Sequence, residues 1–291
     1  MNYPAKILLF GEHTVLKGSE ALAIPLWKLG GNWRREKNDI AAARLHALVL
    51  YLEEIISEKK LTLNIAALKR DVFDFGFWFE SDVPEGYGAG SSGALIAALY
   101  DNYVSQKERD ITVLKKELGI MESFFHGTSS GFDPLISFLK KPVHIRRGGS
   151  MEIQEKVIIS PLSVFLIDTH IIRRTETFVS IFTEKYNDVY FREHVDNTLI
   201  PEMDAAVTFF LEGKKENLFE ALHRISWFQF RFLSTFIPDD FKAVWLEGLS
   251  SRHFKIKLCG AGGGGFLLCF SNDTEATKKI LKEKNFKFLK V

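Results

Sequence analysis

An α+β fold in two domains is what this 291-residue sequence predicts, and three observations predict it. Apolar and polar residues alternate strictly in "VFDFGFWFE" (72–80), as in a half-buried strand. Elsewhere the apolar spacing is three and four, as at Leu45, Leu48, Leu52 and Ile55, which is helical. After Gly148 and Gly149 the composition shifts, and the order of strands and helices becomes βαββαβ once inserted helices are set aside. That order is the split, ferredoxin-like pattern. The boundary falls near residue 150, giving domains over 1–150 and 151–291.

Taken in order, "AKILLF" (5–10) reads as a buried strand ending at Gly11, and "EALAIPL" (20–26) as a second strand. A helix follows, with Asn38 or Asp39 as its N-cap. In 72–80, Phe73, Phe75, Phe77 and Phe79 share one face, and Asp74, Gly76, Trp78 and Glu80 the other. Helices are expected from about Ser91 to Tyr103 and over roughly 112–125, with a short one in "FDPLISFLK" and a strand in "PVHIRR". "SVFLIDT" is a strand, several helices fill 176–249, and "FKIKLCG" and "GFLLCF" form a glycine-linked strand pair. A helix over 273–284 and the strand "FKFLKV" close the chain.

A hydrophobic share of 46% with 26% charged residues is that of an ordinary soluble domain with a sizeable core. With a net charge of +1, nothing argues for nucleic acid or an anionic membrane as the main partner, and neither is expected. The two cysteines, Cys259 and Cys269, show no metal-ligand or disulfide-framework spacing. The opening "MNYPAKILLFGEH" lacks the pattern of a signal peptide, and the longest apolar run is too short to span a bilayer. A cytoplasmic location is expected.

Three sites carry chemistry. "PEGYGAGSSGAL" sets bare backbone before a helix, where N–H groups and the helix dipole favour an anion such as phosphate. Gly86, Gly88 and Gly90 alternate, and Ser91 and Ser92 add hydroxyls. The pattern is neither a Walker A loop nor GxGxxG, and a tight packing turn is the alternative. "GAGGGG" (260–265) holds more glycine than a hairpin needs, which suggests close approach of another segment or a ligand. "HGTSSGFD" (126–133) fits the G-x-S-x-G nucleophile elbow around Ser129, but a helical pattern precedes it where the elbow needs a strand. Asp133, before Pro134, is either the chemical group of that loop or a helix-start residue.

"PAKILLFGEHTVLKGSEALAIPL" resembles the first motif of the GHMP kinases, "PEGYGAGSSGAL" the second and "KLCGAGGGGF" the third. The mevalonate kinase branch looks closest, on "FGEHTVLKG", on "ESFFHGTSSGFD" and on "IIRRTETFV". The resemblance implies a ribosomal-protein-S5-like N-terminal domain, a ferredoxin-like C-terminal domain with inserted helices, and transfer of phosphate from ATP to the primary hydroxyl of mevalonate. Phosphomevalonate kinase, another small-alcohol kinase, and a ligand sensor without turnover are the alternatives. By resemblance Gly86, Gly88, Gly90, Ser91 and Ser92 bind the triphosphate, and Ser92 and Glu122 hold Mg2+. Asp133 takes the hydroxyl proton. Lys6 lies beside it and helps stabilise the transferring group. Glu12, His13, Arg173 and Thr175 fall at acceptor-binding places. The implied partner is a small-molecule alcohol, and a homodimer is left open. Two departures are Ala89 for the usual leucine and Gly93 for the usual alanine, and the segment between the first two motifs is short.

Overall fold

The computed structural model describes residues 2–35, 39–59, 61–84, 86–155, 160–172 and 175–291. The chain forms two compact units. One comprises residues 1–6, 25–84 and 89–141; the other comprises 7–24, 85–88 and 142–291. The unit boundaries fall inside β1 (Tyr3–Phe10) and β2 (Ala21–Arg34), so each of these strands contributes to both.

The first unit holds α1 (Asp39–Lys59), α2 (Ile65–Lys69), β3 (Trp78–Ser81), α3 (Ser91–Tyr103), α4 (Ile111–His126) and α5 (Phe132–Leu139). Helix α1 begins at Asp39, and the alternative cap, Asn38, lies outside the described residues. Gly31–Arg34 of β2 pair antiparallel with β3. Tyr3 and the small residues Ala94, Ala97 and Ala98 of α3 form a buried cluster, covered by Trp33, Phe79 and Phe138. α3 also buries Ile96, Leu99, Tyr100 and Tyr103.

The expected strand over 72–80 is corrected by the structure. Residues Arg70–Asp74 continue α2 as a π-helical turn, with Phe75 N–H donating to the Arg70 carbonyl, and only Trp78–Ser81 is extended. Asn64 caps α2 by accepting from Ala67 N–H. Leu68 and Val72, four residues apart, are both buried, whereas Phe73 and Phe75 are 40% and 45% exposed. Helical spacing of two core residues outweighs the alternation of four phenylalanines, and Gly76, at φ +68°, turns the chain into β3. β2 is also longer than the expected 20–26, running through "WKLGGNWR" to Arg34.

The second unit contains the hairpin β4 (Val143–Ile145) and β5 (Met151–Ile153), with β4 antiparallel to Ala21–Ala23. Its other sheet has the order β7-β8-β6-β9, from β6 (Ser163–Asp168), β7 (Phe254–Leu258), β8 (Phe266–Ser271) and β9 (Phe288–Lys290), with all neighbours antiparallel. Among the described residues, α6 (Thr175–Lys185), α7 (Val189–His194), α8 (Ile200–Leu211), α9 (Lys215–Phe232) and α10 (Asp239–Ser250) are inserted between β6 and β7. α11 (Thr274–Glu283) joins β8 to β9. This is the ferredoxin-like arrangement that the βαββαβ order predicts. Among the described residues no helix is long and apolar enough to cross a membrane.

Candidate active site

Five of the residues singled out in the sequence meet in the first unit: Lys6, Gly90, Ser92, Glu122 and Asp133. β1 carries Lys6, whose backbone N–H donates to the Ala89 carbonyl at 3.0 Å, tying the strand to the glycine loop. Its Nζ lies 2.8 Å from Asp133 Oδ1, with the two side chains 11% and 31% exposed. Asp133 sits in the first turn of α5, after the left-handed Gly131. A carboxylate is electrostatically favoured at that end of a helix.

Gly90, at φ +79°, is the N-cap of α3 and supplies no side-chain cap, so the first turn of α3 opens on bare backbone. A side chain at Gly90 would come 3.4 Å from Lys6 Cγ and 3.6 Å from Asp133 Oδ2. The loop end of α3 therefore lies against the Lys6–Asp133 pair. Gly93, one turn on, has a comparable reason. A Cβ there would stand 2.8 Å from the Asp133 carbonyl carbon, so this departure from the family pattern lets α3 and α5 pack backbone to backbone. Ser91 opens α3.

Glu122 on α4 is 3% exposed. Ser92 donates to its Oε1 at 3.0 Å and Ser129 to its Oε2 at 2.5 Å. Burial, and next the charge of Asp133, push its carboxyl up to about 7, against the two serine hydroxyls and Lys6. Ser129 thus follows a helix and serves a carboxylate, which removes the context a nucleophile elbow requires. Sequence reading left Ser129 out of the site. Its place seven residues after Glu122, across a glycine turn, is the signal that could have included it.

The remaining candidates lie elsewhere. Gly86 and Gly88, at φ +75° and +67°, belong to the second unit. So do Glu12 and His13, both buried. Glu12 Oε1 is 2.6 Å from Lys257 Nζ and accepts from Gln229 Nε2 at 2.7 Å. Lys257 also donates to the carbonyls of Leu9 and Leu258. Burial pushes the Glu12 carboxyl above its ordinary value despite that ammonium. His13 Nε2 lies 3.0 Å from the Ala261 carbonyl, and its ring stacks on Phe182 and meets Phe236 edge-on. Nothing in the sequence signalled Lys257 or Gln229. Arg173 lies outside the described residues, and of Thr175 only the backbone, at the start of α6, is described.

The glycine run 260–265 is explained by close approach. A side chain at Gly263 would collide with the Phe178 ring, and one at Gly265 would stand 2.5 Å from the Tyr87 carbonyl.

No family model matches the chain. A mevalonate kinase of Pyrococcus abyssi is 27% identical over 184 residues, half of each chain. One of Thermococcus onnurineus is 23% identical over 94% of this chain and 89% of its own. The match thus spans about half the length of the first of these relatives. Among solved structures, L. major mevalonate kinase in complex with R-mevalonate superposes with a TM-score of 0.70 at 17% identity, over 99% of this chain and 94% of its own. The Streptococcus pneumoniae phosphomevalonate kinase in complex with phosphomevalonate and AMPPNP gives 0.67 at 14% identity, over 100% and 99%.

Proposed function

From a chain that is a GHMP kinase by fold and resembles the mevalonate kinases in sequence, we propose an ATP-dependent kinase that phosphorylates the primary hydroxyl of mevalonate. The observation that carries this reading is the Lys6–Asp133 pair, 2.8 Å apart, lying against Gly90 at the bare start of α3.

Phosphoryl transfer depends on positioning and charge neutralisation. In the proposed reaction Asp133 takes the proton of the acceptor hydroxyl as its oxygen bonds to the γ-phosphorus of ATP, and the bond to the ADP oxygen breaks. Lys6 orients the carboxylate through Oδ1 and brings a positive charge to the transferring group. The backbone N–H groups that open α3 favour the triphosphate, as helix N-termini favour anions. Assignment of Gly86, Gly88 and Ser91 to the triphosphate is carried by the sequence motif alone.

Magnesium suits the donors present: the Glu122 carboxylate and the Ser92 hydroxyl are hard oxygen ligands, and Mg2+ prefers few of these together with phosphate and water. No cluster of three or more His, Cys, Asp or Glu that could hold a metal occurs among the described residues. When bound, Mg2+ would neutralise phosphate charge.

The choice of mevalonate rests on the curated relatives, since mevalonate and phosphomevalonate kinases fit the fold about equally well. Assignment of Glu12, His13, Arg173 and Thr175 to the acceptor is carried by the sequence motifs alone. Coupled ADP-release assays over mevalonate, phosphomevalonate, galactose and homoserine test the proposal. Turnover with mevalonate is expected. Turnover with another alcohol instead removes the acceptor, and none with any removes the kinase.

A further inference from the structure

We propose that Ser129 is a positioning residue for the metal-binding carboxylate of this chain, an inference that rests on the kinase reading above. Each oxygen of Glu122 has its own hydroxyl donor, Ser92 on Oε1 and Ser129 on Oε2. Two donors on two oxygens fix the plane of the carboxylate as well as its distance from α3. A hydroxyl is suited to this task. It orients a carboxylate without cancelling its charge, whereas a lysine or arginine in the same place would compete with the cation. Each carboxylate oxygen retains a second lone pair after accepting one hydrogen bond.

The direction of the Ser129 bond follows from its other partner. Ser129 Oγ accepts from Gly131 N–H at 3.0 Å, so its single proton is the one shared with Glu122. The serine itself is held by backbone. Gly119 and Gly131 lack side chains where the loop crosses α4. A Cβ on Gly119 would come 2.9 Å from the Ser129 carbonyl, and one on Gly131 would collide with the Lys115 carbonyl. The loop is therefore pressed onto α4 one turn before Glu122. Gly131 also opens α5, whose first turn carries Asp133. One side chain thus connects the proposed metal carboxylate to the turn that presents the proposed base.

The test uses the full chain, Ser129→Ala and Ser129→Thr, with thermal melts as a check of folding. Free Mn2+ is measured by electron paramagnetic resonance in the presence of a non-hydrolysable ATP analogue, and analogue binding is measured separately in EDTA. Loss of a group that orients a metal ligand costs about 10–100-fold in metal affinity. Ser129→Ala is expected to weaken Mn2+ binding on that scale, to leave metal-free analogue binding unchanged, and to raise the Mg2+ needed for half-maximal rate without changing KM for the acceptor. Ser129→Thr, which keeps the hydroxyl, restores Mn2+ affinity. Unchanged Mn2+ affinity in Ser129→Ala, or a threonine variant as weak as the alanine one, overturns the proposal. A parent protein that binds no Mn2+ with the analogue overturns the kinase reading, and this inference with it.

Discussion

Replacing Glu122 by glutamine should stabilise the protein while disabling it. The Glu122 carboxyl is almost fully buried and its pKa lies at about 7, raised from 4.5 first by burial and then by the charge of Asp133. The unfolded chain holds this proton only below about 4.5, so the sign is fixed. Below that pH both states are protonated and there is no cost. Between 4.5 and 7 the folded state keeps a proton that the unfolded state has lost, and stability falls as pH rises. Above 7 both are ionised and the cost is complete. The interval from 4.5 to about 7, at 1.36 kcal/mol per pH unit, corresponds to about 3 kcal/mol. Glutamine avoids this cost but gives up a charged acceptor for one of the two serines, a loss of about 1 kcal/mol. A net gain of about 2 kcal/mol remains, or roughly 3 °C in melting midpoint for a chain of 291 residues. Thermal melts of the parent and Glu122→Gln in EDTA, without nucleotide, from pH 5 to 8.5 read it directly. The gap should be absent near pH 5 and open as pH rises. A variant that melts no higher than the parent at pH 8, or a gap independent of pH, refutes the reasoning.

Asp133→Asn should fold, bind ATP and lose about 10²–10⁴ in turnover, the usual cost of removing a general base; a near-parental kcat removes Asp133 from the chemistry. Glu12→Ala leaves the Lys257 ammonium buried without its counter-charge and should cost about 3–5 kcal/mol in urea denaturation. A loss below about 1 kcal/mol would show that the pair does not hold the second unit together. Gly93→Ala places a methyl group against the Asp133 backbone and should cost about 1–3 kcal/mol, with a fall in kcat larger than any change in KM for ATP. Parental stability and rate together would rule out that close contact. His13→Ala removes the stacking on Phe182 and the bond to Ala261, so the melting midpoint should fall. A raised KM for mevalonate at an unchanged midpoint would instead favour direct contact with the acceptor.

Sequence by itself determined what depends on neighbours within a few residues. Gly90 followed by Ser91 and Ser92 starts a helix, Gly131 followed by Phe132 and Asp133 starts another, and the βαββαβ order after residue 150 yields the ferredoxin-like sheet. These features follow from backbone freedom at glycine, helix-end hydrogen bonding and apolar periodicity, which a short window contains. Tertiary structure decided what depends on partners distant in the chain. The alternation of Phe73, Phe75, Phe77 and Phe79 reads as a strand in isolation, but burial of Leu68 and Val72 winds its first half into a helical turn. Glu12 is a motif carboxylate in the sequence, and only folding gives it Lys257 and Gln229 as partners. Ser129 resembles a nucleophile until α4 and the loop bring it to Glu122. A side chain's charge and hydrogen-bonding capacity are written at its own position, whereas its partner, and so its chemistry, is set by which apolar surfaces the whole chain buries together.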